Sequence, residues 1–528
     1  MLGSKQEYRR NTGGILSTSK KVGIAALIWM VSNLLSRIVG VVREAVIGRT
    51  LGGGVEADVY WASFILPDFL NYLLAGGALS IVFIPIFSGY ISQGKEAEGW
   101  ASFSYIANTL LILLCIFVPL LWIFFPLLAP LVAPGFTELQ QAEVVRLTRI
   151  ILPAQMFHLL GGLLAAAQQA KNKHHYSAAA GLVYALGIIV GGLILQSSEG
   201  FAYGVLGGSF FGPFLLNLYG AKTVGLRWSF ALSFKHADVR KYIALSFPIM
   251  IGASIIVWDD FFLKRYGSLQ GEGVVSSLQY AKTLMKVPMG VFGLAFGVAV
   301  YPSLAEMVAS KNNQGAYELL IVTAKRVLFL ALGAQVVLSS TGSELATIIY
   351  GSRLLDGQAQ AIGQCLTFLS IGLWGWSIQN ILARGFYARE NTWIPTIIGS
   401  VMTVLTIGVY AYLGEIFGIL GLAGASAIAV SLYVFILEFA LRRFYNVTDK
   451  GLLGVLIKMG ISVAICILVG EWLREMAWVQ GLHMYIRAIF LGLITGTLYL
   501  AFINLWKIPE VTAAQSDILN KVRRKLRR

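Results

Sequence analysis

Ser102–Val132 reads SFSYIANTLLILLCIFVPLLWIFFPLLAPLV, a run without a single Asp, Glu, Lys or Arg. A helix of about 20 such residues is about 30 Å long, enough to cross a hydrocarbon core. Comparable apolar runs recur from Val22 to Trp506. The chain is 57% hydrophobic and 13% charged, where soluble domains are about 45–50% apolar and about 25% charged. A water-soluble fold is therefore excluded. The reading is an all-α polytopic membrane protein with no large soluble domain between its spans. Cys115, Cys365 and Cys466 stand singly inside apolar runs, so they read as lipid- or core-facing rather than as a metal or redox set.

The net charge of +15 has to be read against the positive-inside rule before nucleic acid is considered. Lys5, Arg9, Arg10, Lys20 and Lys21 precede the first span, and the tail ends NKVRRKLRR. Both termini are then cytoplasmic, and the span count is even. Fourteen spans satisfy the pattern: 22–52, 60–90, 102–132, 148–170, 176–196, 200–219, 241–263, 274–306, 322–345, 359–383, 393–412, 417–441, 452–473 and 484–506. Alternate connections carry the lysines and arginines, and a shift by one span destroys the alternation. The basic tail suits anionic lipid headgroups, and no nucleic-acid partner is expected.

A six-span repeat is visible. AGGALSIVFIP (Ala75–Pro85) matches GLAFGVAVYP (Gly293–Pro302), and QQAKNKHHYSA (Gln168–Ala178) sits where FYARENTWIPT (Phe386–Thr396) recurs. Six is even, so the copies share an orientation, as in alternating-access transporters. The expected parts are a basic N-terminus (1–21), a six-helix lobe (22–220), a basic loop (221–240), a second lobe (241–443), two additional spans (444–506) and a basic tail (507–528).

Candidate functional residues are charges inside spans. Arg37 and Arg43 fall within the first span, where insertion costs about 2.5–3.5 kcal/mol for each arginine near the centre. Their planar donor forks suit a pyrophosphate, and the alternative is pairing with Glu44, Asp58 or another helix. Asp58 follows the GGGVEAD turn, which reads as flexible; its carboxylate either orients an arginine, takes part in gating or is solvated. Arg49 reads as interfacial. Lys282 and Lys286 stand at i and i+4 beside Thr283, forming a cationic face or snorkelling to the interface. Asp259 and Asp260, with Gln379 and Asn380, offer oxygens either for a monovalent coupling cation, sodium or a proton, or for interfacial hydrogen bonds.

Four stretches resemble the MurJ/MviN family, lipid II flippases of the multidrug, oligosaccharidyl-lipid and polysaccharide exporter superfamily. They are SRIVGVVREAVIGRTLGGGVEADVYWASFILPDFLNYLLAGGALSIVFIPIFSGY (Ser36–Tyr90), APGF (Ala133–Phe136), QYAKTLMKVPMGVFGLAFGVAVYPSLAE (Gln279–Glu306) and LARGFYARENTWIPT (Leu382–Thr396). The resemblance implies two six-helix lobes facing one another in a V, a cationic central cavity, and two C-terminal helices shaping a groove for a polyprenyl tail. It implies that Arg37, Arg43 and Asp58 match charged cavity and gate positions. Asn71 and Tyr72 stand where the family commonly has arginines, Gly76 where a glutamate is expected, and Thr283 where an arginine is expected. Lys282 and Lys286 are then the cations that would restore the lost charge.

The expected function is translocation of lipid II, the undecaprenyl-pyrophosphate-linked peptidoglycan precursor, from the cytoplasmic to the outer leaflet of a bacterial cytoplasmic membrane by alternating access. The expected partners are that glycan, membrane lipids and cell-wall synthesis proteins. No cofactor beyond the coupling cation is expected. The alternatives are a flippase for another polyprenyl-linked glycan, or a cation-coupled drug exporter, which would show a dominant buried carboxylate where this sequence shows cations. A membrane enzyme would need a positioned carboxylate or histidine constellation, and the sequence offers none. A scaffold for cell-wall enzymes is the remaining class.

Overall fold

The computed structural model describes residues 38–75, 82–251, 255–351, 353–447, 451–508 and 512. Among them every regular element is helical, and nine helices are long and apolar enough to cross a membrane. Glu96–Val132 presents Ile116, Phe117, Ile123, Phe124 and Leu127 outward, the last 76% exposed. A face of that kind is stable only against lipid. The protein is a polytopic α-helical membrane protein. Trp393–Tyr445 counts as one helix of 53 residues, but Gly418 at φ 58 breaks it, so it supplies the lengths of the eleventh and twelfth expected spans. None of the three cysteines forms a disulfide; Cys365 and Cys466 are buried and Cys115 is exposed on the apolar Glu96–Val132 helix.

Several expected spans differ in detail, the second, fourth and eighth among them. The second is divided into Val55–Ala62, Ile65–Ala75 and Ile84–Ser92, with Gly76 and part of the first repeat segment outside the described residues. The fourth starts earlier, because the polar helix Glu138–Ile151 leads into Ala154–Ala170. Its charges hid it from an apolar filter. The eighth passes from Val274–Met289 through a π-helical turn at Gly290–Leu294 into Ala295–Ala309. Pro288 lacks an N–H and forces the ladder to shift there.

The chain forms two compact units: residues 1–46, 74–122 and 149–246, and residues 47–73, 123–148 and 247–528. In the first unit, His175–Leu195 and Ser198–Ser209 form a tight hairpin. A Cβ on Gly187 would lie 2.5 Å from Gly208 Cα, and one on Gly191 2.5 Å from the Gly200 carbonyl oxygen. Small residues let the two backbones touch, as apolar helices in lipid require. Connections expected on one membrane face also meet in this unit. Lys171, between spans four and five, pairs with Glu96, before span three, and donates to the Val224 carbonyl at 2.6 Å. That ammonium holds the exposed Glu96 carboxyl below the usual carboxylate range.

In the second unit, connections far apart in the chain meet through hydrogen bonds. Gly135 N–H donates to Ser268 Oγ at 3.3 Å, and Gln270 Nε2 to the Gly414 carbonyl at 3.0 Å. At other connections of this unit, Arg389 bonds Asn313 and donates to the Phe444 carbonyl at 2.9 Å.

Candidate functional site

The turn between the first two spans is clamped rather than slack. Gly52 adopts φ +71, open to glycine, and a Cβ there would lie 2.3 Å from the Arg353 carbonyl oxygen. Tyr280 Oη donates to the Gly52 carbonyl at 2.6 Å, and Gln358 Nε2 to the Gly53 carbonyl at 2.8 Å. Arg49 donates to the carbonyls of Ile348 and Ile349 at 2.7 and 3.0 Å, capping the last turn of Asn313–Tyr350. Asp58 does the converse. Its carboxylate accepts the backbone N–H groups of Gly273 and Ser276, each at 2.7 Å, at the first turn of Val274–Met289. A cation meets a helix C-terminus and an anion a helix N-terminus, where the helix dipoles favour each. Asp58 is 2% exposed, so the solvated reading is corrected. Its partners are backbone amides, which sequence spacing does not reveal.

A second cluster lies within the same unit. Lys282 Nζ bonds Asp259 Oδ2 and sits 2.5 Å from Asp260 Oδ1, while Lys286 Nζ lies 3.4 Å from Asp260 Oδ2. Tyr410 Oη donates to the remaining oxygen of Asp259. Lys282 Nζ also lies 5.7 Å from the centre of the Trp376 ring. On the neighbouring turn, Lys264 Nζ is 3.8 Å from Asp68. The i, i+4 spacing does place both lysines on one face, but that face meets carboxylates. The Lys282 side chain is 3% exposed and that of Lys286 39%. Lys282 is thus held away from any substrate in this conformation, and Lys286 is the accessible member.

The other expected residues are dispersed. Arg43 belongs to the first unit, where it bonds the neighbouring Glu44 and remains partly exposed. Arg37 lies outside the described residues. Thr283, Asn71 and Asn380 are half-buried. The sequence reading missed Tyr410, Trp376, Gln358 and the Lys264–Asp68 pair. It also placed Arg384 in a connecting loop, whereas Arg384 lies within the helix Leu373–Tyr387, half-buried, with its guanidinium 5.6 Å from the Tyr301 ring centre. No carboxylate pairs with it among the described residues. The available signal was its position directly after the expected span 359–383, where a small extension of the helix brings it inside.

The profile of the lipid II flippase MurJ family matches residues 47–491. The chain belongs to that family. A probable lipid II flippase MurJ of Rhizobium tropici is 28% identical over 423 residues, 75% of this chain and 76% of that protein. The corresponding protein of Thermotoga maritima is 24% identical over 491 residues, 92% of this chain and 97% of its own. A solved lipid II flippase MurJ in an inward closed conformation has the same fold, with a TM-score of 0.74 at 20% identity over 91% of this chain and 98% of that one. An inward-facing multidrug resistance MATE family transporter of the MOP superfamily gives 0.65 at 13% identity, covering 77% and 94%. The MurJ family match takes in the Arg49–Asp58 turn, the lysine–aspartate cluster and Arg384; Arg37 and Arg43 precede it. MurJ is a family of transporters, not one of catalytic enzymes.

Proposed function

We propose that this protein translocates lipid II from the cytoplasmic to the outer leaflet by alternating access, with both termini in the cytoplasm. Membership of the MurJ family over residues 47–491 carries the reading. A pyrophosphate cannot enter hydrocarbon unaccompanied, because an uncompensated ion loses its hydration at a cost of many kcal/mol. Fixed cations lower that cost. Lys286 and Arg384 in the second unit, and Arg37 and Arg43 in the N-terminal part, are the residues assigned to phosphate contact; Thr283 and Asn71 accompany them as polar positions. Asp58 and Arg49 hold the first turn against the ends of two helices of the second unit, which supports the reading of that turn as part of a gate. Opening requires those caps to part.

A second reading, a flippase for another polyprenyl-linked glycan, rests on Thr283, Asn71 and Tyr72 standing where the family resemblance calls for arginines. Complementation separates the two. A strain depleted of its own lipid II flippase should grow on this gene, without lipid II accumulating by mass spectrometry. Failure with normally inserted protein, together with lipid II accumulation, would overturn the lipid II assignment.

A further inference from the structure

Asp259 and Asp260 place two formal negative charges side by side on the Ile255–Ser268 helix. Adjacent carboxylates inside a membrane protein have to be neutralised, by a proton or by a cation, because burying either charge alone is costly. We propose that the Lys282 ammonium is this cation: a tethered counter-charge that fills the position a free coupling ion would otherwise take, so that the site needs no sodium.

The donor set carries the argument. All four carboxylate oxygens are engaged: Asp259 Oδ1 by Tyr410 and Oδ2 by Lys282, Asp260 Oδ1 by Lys282 and Oδ2 by Lys286. Lys282 brings its positive charge between the two aspartates, and the Trp376 ring adds its electron-rich face. A metal ion in the same place would need the oxygens that the ammonium already holds. A covalently tethered cation also cannot dissociate into either compartment, so no ion gradient enters the cycle here. It locks two helices together as well. Separating Val274–Met289 from Ile255–Ser268 would strand opposite charges in an apolar setting, so these two segments move as one body during transport.

The inference does not rest on which glycan is carried, and its test needs no cargo. The full-length protein is purified in detergent and unfolded thermally in sodium chloride or in choline chloride of equal ionic strength. Wild type should give the same midpoint in both salts. K282A, which empties the position between the aspartates, should melt lower in choline and recover by about 3–5 °C, saturably, as sodium is added. Removing the carboxylates as well, in D259N/D260N/K282A, should abolish the sodium response. K282Q, which retains a donor, provides the same comparison should K282A not accumulate. A sodium-dependent wild-type midpoint would overturn the proposal, and so would K282A and K282Q variants both indifferent to sodium.

Discussion

Asp58 accepts the backbone N–H of Ser276 at 2.7 Å across 218 positions of sequence, so a residue in the first turn of Val55–Ala62 caps the helix that carries Lys282 and Lys286. The cap joins a charged group to the positive end of a helix dipole and satisfies two amides that would otherwise be buried without partners. Asp58→Ala should cost about 1–3 kcal/mol, and Asp58→Asn, which keeps one acceptor oxygen, less. The same order should appear in access to the outer side. A cysteine replacing Ser277, labelled by an impermeant thiol reagent, should react faster in the alanine background. Equal midpoints and equal labelling in all three backgrounds would dismiss the cap.

The turn itself predicts a contrast between neighbouring glycines. Gly52→Ala meets both the left-handed backbone at φ +71 and the Arg353 carbonyl oxygen at 2.3 Å. Gly54→Ala meets only the tip of the Glu272 side chain at 2.9 Å, which can rotate away. Gly52→Ala should therefore lower stability by about 1–3 kcal/mol, and Gly54→Ala by well under about 1 kcal/mol. Thermal unfolding of the two variants decides, and equal losses would contradict the clamped turn.

Lys282 and Lys286 should behave oppositely in stability and transport. Lys282→Ala leaves two carboxylates without their shared cation, a loss of about 3–5 kcal/mol for a buried pair. Lys286→Ala removes a half-exposed charge 3.4 Å from Asp260 and should cost under about 1 kcal/mol. Its effect should instead appear in the rate of lipid II flipping in proteoliposomes. Full flipping by a Lys286→Ala variant of normal stability would remove that lysine from the substrate path.

Arg384 supplies the sharpest test of phosphate contact, since no acidic partner explains its presence among the described residues. Arg384→Ala should lower flipping by roughly tenfold, about 1.4 kcal/mol, with folding little changed. Arg384→Lys keeps the charge but loses the planar fork, and should fall between. Normal flipping with both substitutions would leave Arg384 a packing residue beside Tyr301 and Gly297.

Periodicity and charge in the sequence by themselves determined that this is a polytopic helical membrane protein, because hydrocarbon admits only closed helices or barrels. The resemblance of Ser36–Tyr90 and Gln279–Glu306 pointed to the family. Tertiary structure alone decided what the charges do. Spacing put Lys282 and Lys286 on one helix face but could not say what that face meets, and it meets Asp259 and Asp260 rather than open space. Arg49 read as interfacial, and Asp58 as orienting an arginine, gating or solvated, because their partners are main-chain carbonyls and amides, which every residue carries and no sequence pattern marks. A charge in a membrane is costly wherever it lies, so the sequence can locate it; which neighbour relieves that cost depends on contacts between helices far apart in the chain.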